Sequence, residues 1–538
     1  MSQKTKIKGP QLKYTIKSSV GEFYFNCADR FSDQICQIDA DSDKAESYSS
    51  VKKRSTRAAL ELQRRGITDQ DVVVLFTRVT LDYIIPILGC FYLGTKVGTL
   101  DTSLSMRQIA QVLHLVAPTM VFVEKDYVVM IEESLRNARV NADIIVFGQS
   151  VKYSTLDDFL KPHPKEEKFK PPKVKDGDAE SSLSHSSQFS KHCSFSLVSI
   201  SSKASNSTLR KIYSQAGFTC DCILYSASFS RIVSLILMTC AFLSGGQRVF
   251  YSAIEAENIL SIIQKYKVTH YYLTPMMSYK LTKFEKFQDY DISSLECVLL
   301  SGSPISRGQF ETLTHRFKES TVISAYGLKE AGLVTIFDPK KDYKFTTKKV
   351  GSSGKLIAGI SAKIVDLETH KLLGPNEIGE ICIKSPTIMK GYYNADSSTA
   401  FDREGYLKTG DVGYFDNDEC FFIVDRVNNL FKGSSGHISP TAIETVLLEH
   451  LFVKEAAVFG VPVNEEEGEA PAACVVLEKD STVTEDEIKN FVAERVPDQQ
   501  QLKGGVKFVD KLPTTPSGKV MREEIKSTFL DSSEVKKV

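Results

Sequence analysis

The sequence predicts an α/β fold: a large N-terminal domain of parallel-sheet layers and a small separate α+β domain at the C-terminal end. Three observations predict it. Short β-branched runs alternate with amphipathic helical stretches through the first part of the chain, the pattern of a parallel sheet covered on both faces. The length of 538 residues exceeds what one ordinary core can organise. The end of the chain carries helix starts and strands of its own.

Taken in order, Arg57–Arg65 has a helical apolar stripe, and Gly66 is placed to end it. Val72–Phe76 is a β-branched run suited to a buried parallel strand. Arg107–Val116 reads as a helix that stops before Pro118, and Met120–Val123 and Ile144–Phe147 read as further strands. Residues 161–194 break the alternation. Lys161 to Lys175 is rich in Lys and Pro, and Glu180 to Ser194 in Ser. Such a composition buries little apolar surface and predicts a mobile low-complexity loop. Strand-like Phe195–Val198 follows it. The apolar run Ile232–Leu243 is too short to span a bilayer and predicts a buried core helix.

Near the C-terminal end, Ser439-Pro440 opens a helix. The serine can accept from a free backbone N–H, and proline suits the first helical position. Ala456–Val461 and Ala472–Leu477 predict strands. Thr484 with Glu487 is a capping-box pattern for another helix.

Composition narrows the function. Hydrophobic residues make up 42% and charged residues 25%, as in soluble globular proteins. Basic and acidic residues balance at 67 each, so charge gives no reason to expect a nucleic-acid or membrane-surface partner. No transmembrane segment is predicted, and the polar, lysine-rich Met1–Lys8 does not read as a secretory signal. Eleven cysteines lie scattered without paired metal-ligand spacing, which points to reduced thiols in an intracellular compartment.

Five segments, in order, carry a resemblance. Tyr326-Gly327-Leu328-Lys329-Glu330 resembles a Tyr-Gly-Leu-Thr-Glu motif. Gly405-Tyr406-Leu407-Lys408-Thr409-Gly410-Asp411 resembles Gly-Trp-Leu-x-Thr-Gly-Asp. Ile423-Val424-Asp425-Arg426 looks like a strand leading to a hinge. Gly468–Ala473 and Leu512-Pro513-Thr514-Thr515-Pro516-Ser517-Gly518-Lys519 complete the set. Together these segments resemble the adenylate-forming superfamily, and most closely the beetle luciferases, the insect fatty acyl-CoA synthetases and the plant coumarate-CoA ligases.

The resemblance implies an N-terminal AMP-binding domain over 1–425, with a β-barrel-like subdomain beside its parallel layers, and a mobile cap over 426–538. It implies an enzyme, an acid–thiol ligase. A small-molecule carboxylic acid attacks ATP to give an acyl-adenylate, and a thiol, usually coenzyme A, then displaces AMP. Anions meet in the first step, so cations and fixed donors are needed where charge builds up.

By the same likeness Lys519 bridges the carboxylate and the α-phosphate. A compact ammonium on a long arm suits that task, though an exposed turn lysine would read the same. Asp411 has two acceptor oxygens for a ribose diol, and Arg426 is a second ribose or phosphate contact. Glu330 is the expected Mg²⁺ ligand, since Mg²⁺ often takes only one or two carboxylates beside phosphate oxygens. Tyr326 fits either a ring stacked on adenine beside Gly327 or a plain core tyrosine. Ser301-Gly302-Ser303-Pro304 resembles an adenine-side loop one residue short. Lys432 matches the lysine presented in the second half-reaction, or a surface lysine. Asn428 replaces the usual hinge Lys or Asp.

Several positions depart from the family. Its phosphate loop is Thr-Ser-Gly-Thr-Thr-Gly-x-Pro-Lys-Gly. Here Ser201 to Lys211 holds no glycine or proline, so the backbone wrap around the phosphates is reshaped or lost. Hydroxyls of Ser202 and Ser205, with Lys203, Arg210 and Lys211, remain as donors. Lys329 stands in place of a threonine, either compensating for lost charge or blocking the site. Ser226–Arg231 replaces a His-His-Gly-Phe run, which disfavours luciferin-like substrates. Gly433–His437 replaces a run near the pantetheine tunnel. The expectation is an ATP-, Mg²⁺- and coenzyme A-dependent ligase of fatty or aryl acids. The alternative is a catalytically impaired relative that binds acyl or nucleotide ligands. No Ser-Lys-Leu peroxisomal address ends the chain, which favours the cytoplasm over the family's other common compartment. The oligomeric state is not readable.

Overall fold

The computed structural model describes residues 5–11, 19–172, 180–186, 196–201, 220–225, 230–252, 255–302, 305, 307–339, 341–385, 388–389, 391–394, 396–433, 436–464, 468–479, 481–513 and 520–532. Its elements form four sheets. In the first, of eight strands, the parallel centre is Lys96–Thr99, Val72–Phe76, Met120–Glu124 and Asp143–Phe147. All five residues of Val72–Phe76 are buried. Side chains alternate across a strand, so Val73 and Leu75 enter one core while Val72, Val74 and Phe76 enter another.

Helices Tyr48–Arg64 and Ile84–Leu93 cover the first face, and Met106–Val116 and Val128–Ala138 the second. The expected helix at Arg57–Arg65 is the latter part of Tyr48–Arg64, whose start is capped by Ser47. Gly66 follows with φ of 82°, a left-handed turn that glycine adopts without strain. Met106–Val116 opens on a capping box of Ser105 and Gln108.

The serine-rich stretch corrects one expectation. Within the predicted loop 161–194, Glu180–Ser186 is a strand, parallel to Lys96–Thr99 and antiparallel to Ser196–Ser201. Ladder hydrogen bonds come from the backbone, so a polar run can extend a sheet whose centre is apolar. Residues 173–179 and 187–195 of that stretch lie outside the described residues.

The second sheet has nine strands. Its parallel centre runs Thr321–Leu328, Cys297–Leu300, His270–Leu273, Cys222–Leu224, Gln247–Phe250. Thr321–Leu328 then turns back antiparallel as Gly332–Ile336. Helix Ile232–Ser244 lies between the two sheets. Met238 and Phe242 pack into the core of the first, Leu237 and Cys240 into that of the second. A helix apolar on all sides needs such a two-sided setting.

The third sheet is antiparallel throughout: Lys6–Lys8, Ser361–Val365, Gly379–Lys384, Leu407–Phe415 and Phe421–Arg426. It is the subdomain expected beside the parallel layers, and a Gly354–Phe421 bridge ties it to the second sheet. The fourth is the small C-terminal sheet, with Val453–Asn464 and Gly468–Leu477 as its long pair. Helices Pro440–Leu447 and Glu485–Ala493 start at Ser439 and at the Thr484–Glu487 capping box, as the sequence predicts.

Asp425, at the end of the third sheet, accepts from the Ser439 hydroxyl at 2.5 Å, the Thr441 N–H at 3.1 Å and the Asn429 amide at 2.8 Å. It thereby pins the first helix of the small domain. Among the described residues, no helix is long and apolar enough to cross a membrane.

Candidate active site

Loops that leave the carboxyl ends of parallel strands are the usual place for a ligand in an open α/β sheet. Two candidate segments leave the second sheet there. Ser301 and Gly302 follow Cys297–Leu300, and Lys329-Glu330 forms the tip after Thr321–Leu328. Gly302 has φ of 116°, which only glycine holds easily. The Ser301 carbonyl accepts from the Tyr272 hydroxyl at 3.3 Å.

The Lys329-Glu330-Ala331 tip is a three-residue hairpin loop closed by Gly332 in the left-handed region, φ 71°. The strands below it approach closely. A Cβ on Gly327 would lie 2.6 Å from the Gly332 carbonyl oxygen and 3.2 Å from the Leu333 Cα. Both are backbone atoms that cannot turn aside. Gly327→Ala is expected to cost about 1–3 kcal/mol of stability, read from the midpoint of urea unfolding.

The third sheet supplies the opposite wall. Asp411 and Arg426 are partners across two antiparallel strands. Arg426 Nε donates to Asp411 Oδ1 at 2.8 Å, and the Tyr326 hydroxyl donates to Asp411 Oδ2 at 2.7 Å. The Thr409 hydroxyl accepts from the Asp411 N–H at 3.0 Å. Burial raises the Asp411 carboxyl above its usual range, while Arg426 and Tyr326 pull it down. Burial likewise pushes the Tyr326 phenol well up, and Asp411 adds to this.

Glu330 is buried at the hairpin tip, and its backbone carbonyl accepts from Met389 N–H at 2.7 Å. Burial raises its carboxyl, against the pull of Arg426 and Lys329. Burial also pushes the Lys329 ammonium down to about 8, against the pull of Glu330. Tyr392 joins this wall: burial, then the nearby Glu330, push its phenol up to about 12.

Beneath Ser301, Ala325 and Gly327 lies an apolar cavity of about 70 Å³. Ile232, Val233 and Ile236 line one side, Tyr272, Leu299 and Leu333 the other. Its far end is formed by Cys220, Cys297 and His270, at the amino ends of the same strands, and by Cys240 of helix Ile232–Ser244. From Cys297 to Ser301 the strand covers about 13 Å. Burial lowers the His270 imidazole to about 4, so the far end carries no cation at neutral pH. The side chains that line it are predominantly apolar.

The structure thus brings together Tyr326, Gly327, Glu330, Asp411 and Arg426, with Ser301 and Gly302 at the cavity rim. It does not bring Lys432 to them. Lys432 is exposed and pairs with Glu368 at 3.2 Å, because the small sheet turns that strand toward the 366–371 turn. Ser202, Ser205 and Lys519 lie outside the described residues. Tyr392, Arg231 and Thr409 were not picked out from the sequence. Thr409 lies within the Thr-Gly-Asp motif and Arg231 ends the Ser226–Arg231 run, whereas no motif marks Tyr392.

The chain is similar to known proteins along most of its length. The model of the AMP-binding enzyme family matches residues 24–187 and 191–393, and that of the AMP-binding enzyme C-terminal domain matches 442–519. A luciferin 4-monooxygenase of Nipponoluciola cruciata is 30% identical over 88% of this chain and 87% of its own. A 4-coumarate–CoA ligase of Pinus taeda is 30% identical over 97% of this chain and 96% of its own. The solved luciferase-like enzyme from the nonluminescent Zophobas morio mealworm is 39% identical, with a TM-score of 0.75, and covers 79% of this chain and 100% of that one.

Proposed function

Because the chain belongs to the family of AMP-binding enzymes, we propose that it is an ATP-dependent acid–thiol ligase acting on a fatty or aryl acid. The observation that carries this reading is the Tyr326–Asp411–Arg426 cluster set beside Glu330 over an apolar cavity. In the first step a carboxylate oxygen bonds to the α-phosphorus of ATP, and the bond to pyrophosphate breaks. In the second a thiol, coenzyme A in this reading, bonds to the acyl carbon, and the bond to AMP breaks.

Asp411 and Arg426 hold the ribose, and Tyr326 stands beside the adenine with Gly327, Ser301 and Gly302. Glu330 fits a Mg²⁺ ion, since its buried carboxylate has no ion-pair partner among the described residues. The ion would supply charge neutralisation to the phosphates. Ser202 and Ser205 offer hydroxyls to the phosphates, and Lys519 carries the ammonium to the reacting oxygens. The domains divide near 425, and rotation of 426–538 exchanges Lys519 for Lys432 between the two steps.

Pyrophosphate exchange across a panel of fatty and aryl acids tests the proposal. Exchange above a Lys519→Ala background is expected. Its absence, with folded protein and saturating ATP, would overturn the enzyme reading. The glycine-free run Ser201–Lys211 favours a second reading, ligand binding without turnover. That reading expects AMP or an acid to raise the melting temperature by mass action while exchange stays at background.

A further inference from the structure

Two cations adjoin the apolar cavity along the chain, one beside each wall: Arg231, which is exposed, and Lys329. Arg231 immediately precedes helix Ile232–Ser244, whose Ile232 and Val233 line the cavity. Lys329 lies two residues beyond Gly327, which lines the facing wall. The two feel each other's charge, and Arg231 also acts on the ring of Tyr272 in the cavity wall. Lys329 is half-buried and has no ion-pair partner among the described residues. Its other charged neighbours are Glu330, Asp101 and Arg426. Like charges brought near one another repel, and an anion between them relieves that repulsion.

We propose that Lys329 and Arg231 form a clamp for the substrate carboxylate, with the apolar part of the acid filling the cavity below. The clamp rests on the acid-substrate reading given above. It also sets specificity: a neutral molecule of equal shape gains the apolar contacts and nothing at the rim. The guanidinium offers a planar fork and the ammonium a point charge, so the two can grip the carboxylate from either side.

The test is calorimetric titration of the full chain with octanoate, dodecanoate and cinnamate, each beside its matched alcohol, and with AMP. At pH 7 at least one acid is expected to bind more tightly than its alcohol. Lys329→Met and Arg231→Met are each expected to lower that acid's affinity about 10- to 100-fold and to leave alcohol affinity unchanged, which also reports an intact cavity. Lys329→Arg, which keeps the positive charge, should retain the acid. Acid binding unchanged in both Met variants overturns the clamp and leaves the ligase reading standing. Loss of AMP binding with acid binding intact also overturns it and moves the cations to the phosphate. Failure of the native chain to bind any acid or alcohol overturns the ligase reading and the clamp together.

Discussion

Exchanging Asp411 for asparagine should weaken AMP binding about 10- to 100-fold while the fold survives. The side chain keeps its shape, and its oxygen can still accept from the Tyr326 hydroxyl. It loses the charge that faces Arg426 and that strengthens bonds from a ribose diol, a difference of about 1.5–3 kcal/mol for a bond to a charged group. Asp411→Ala goes further. It strips both Tyr326 and Arg426 of their acceptor and should cost stability as well, by about 2 kcal/mol, a discount from the buried-pair figure because Arg426 is partly exposed. Tyr326→Phe removes one hydroxyl and should cost only about 1 kcal/mol. Calorimetry with AMP and urea unfolding of the three variants give the ranking. An Asp411→Asn protein that binds AMP like the native chain would place the ribose elsewhere.

The second large effect belongs to Lys519. Lys519→Ala should lower acid-dependent pyrophosphate exchange by about 10²–10³-fold, the usual loss when one preorganised donor to developing charge is removed. AMP affinity should change little, because the ammonium acts where negative charge builds up during the step and not on the bound nucleotide. The two variants are therefore separable: Asp411→Asn loses nucleotide and rate together, Lys519→Ala rate alone. Exchange that survives the substitution would assign the reaction's cation to another residue, with Lys329 the first to substitute.

Much of this architecture is legible in the residues. Val72–Phe76 is a strand with the predicted bounds because five consecutive apolar residues fit only a site covered on both sides. The starts at Ser439 and Thr484 are legible because a cap is a local device whose donor and acceptor sit three residues apart. The Glu180–Ser186 strand is not, since what makes it a strand is the backbone of Lys96–Thr99, remote in sequence. At the site, Asp411 and Tyr326 stand in recognisable motifs, and the structure adds their 2.7 Å hydrogen bond. Tyr392 lies in no motif, and Arg231 ends a run that has lost the family's residues. They reach the site through tertiary placement alone, and the lysine at 329 reveals its burial only once the hairpin is folded. The place of Lys432 depends on how the small sheet is turned, a property of the assembled molecule that no local run of residues encodes.

Asp425 and Arg426 are consecutive, yet one grips Ser439 and Thr441 while the other grips Asp411. Under the proposed function, a ribose that draws on Asp411 would slacken the hold on Arg426 at the point where the chain leaves for the C-terminal domain. Linkage then requires reciprocity: any preference that bound nucleotide imposes on the cap's angle returns, by the same factor, as a preference of the cap for nucleotide. Loosening the Ser439 contact should consequently register as an altered affinity for AMP.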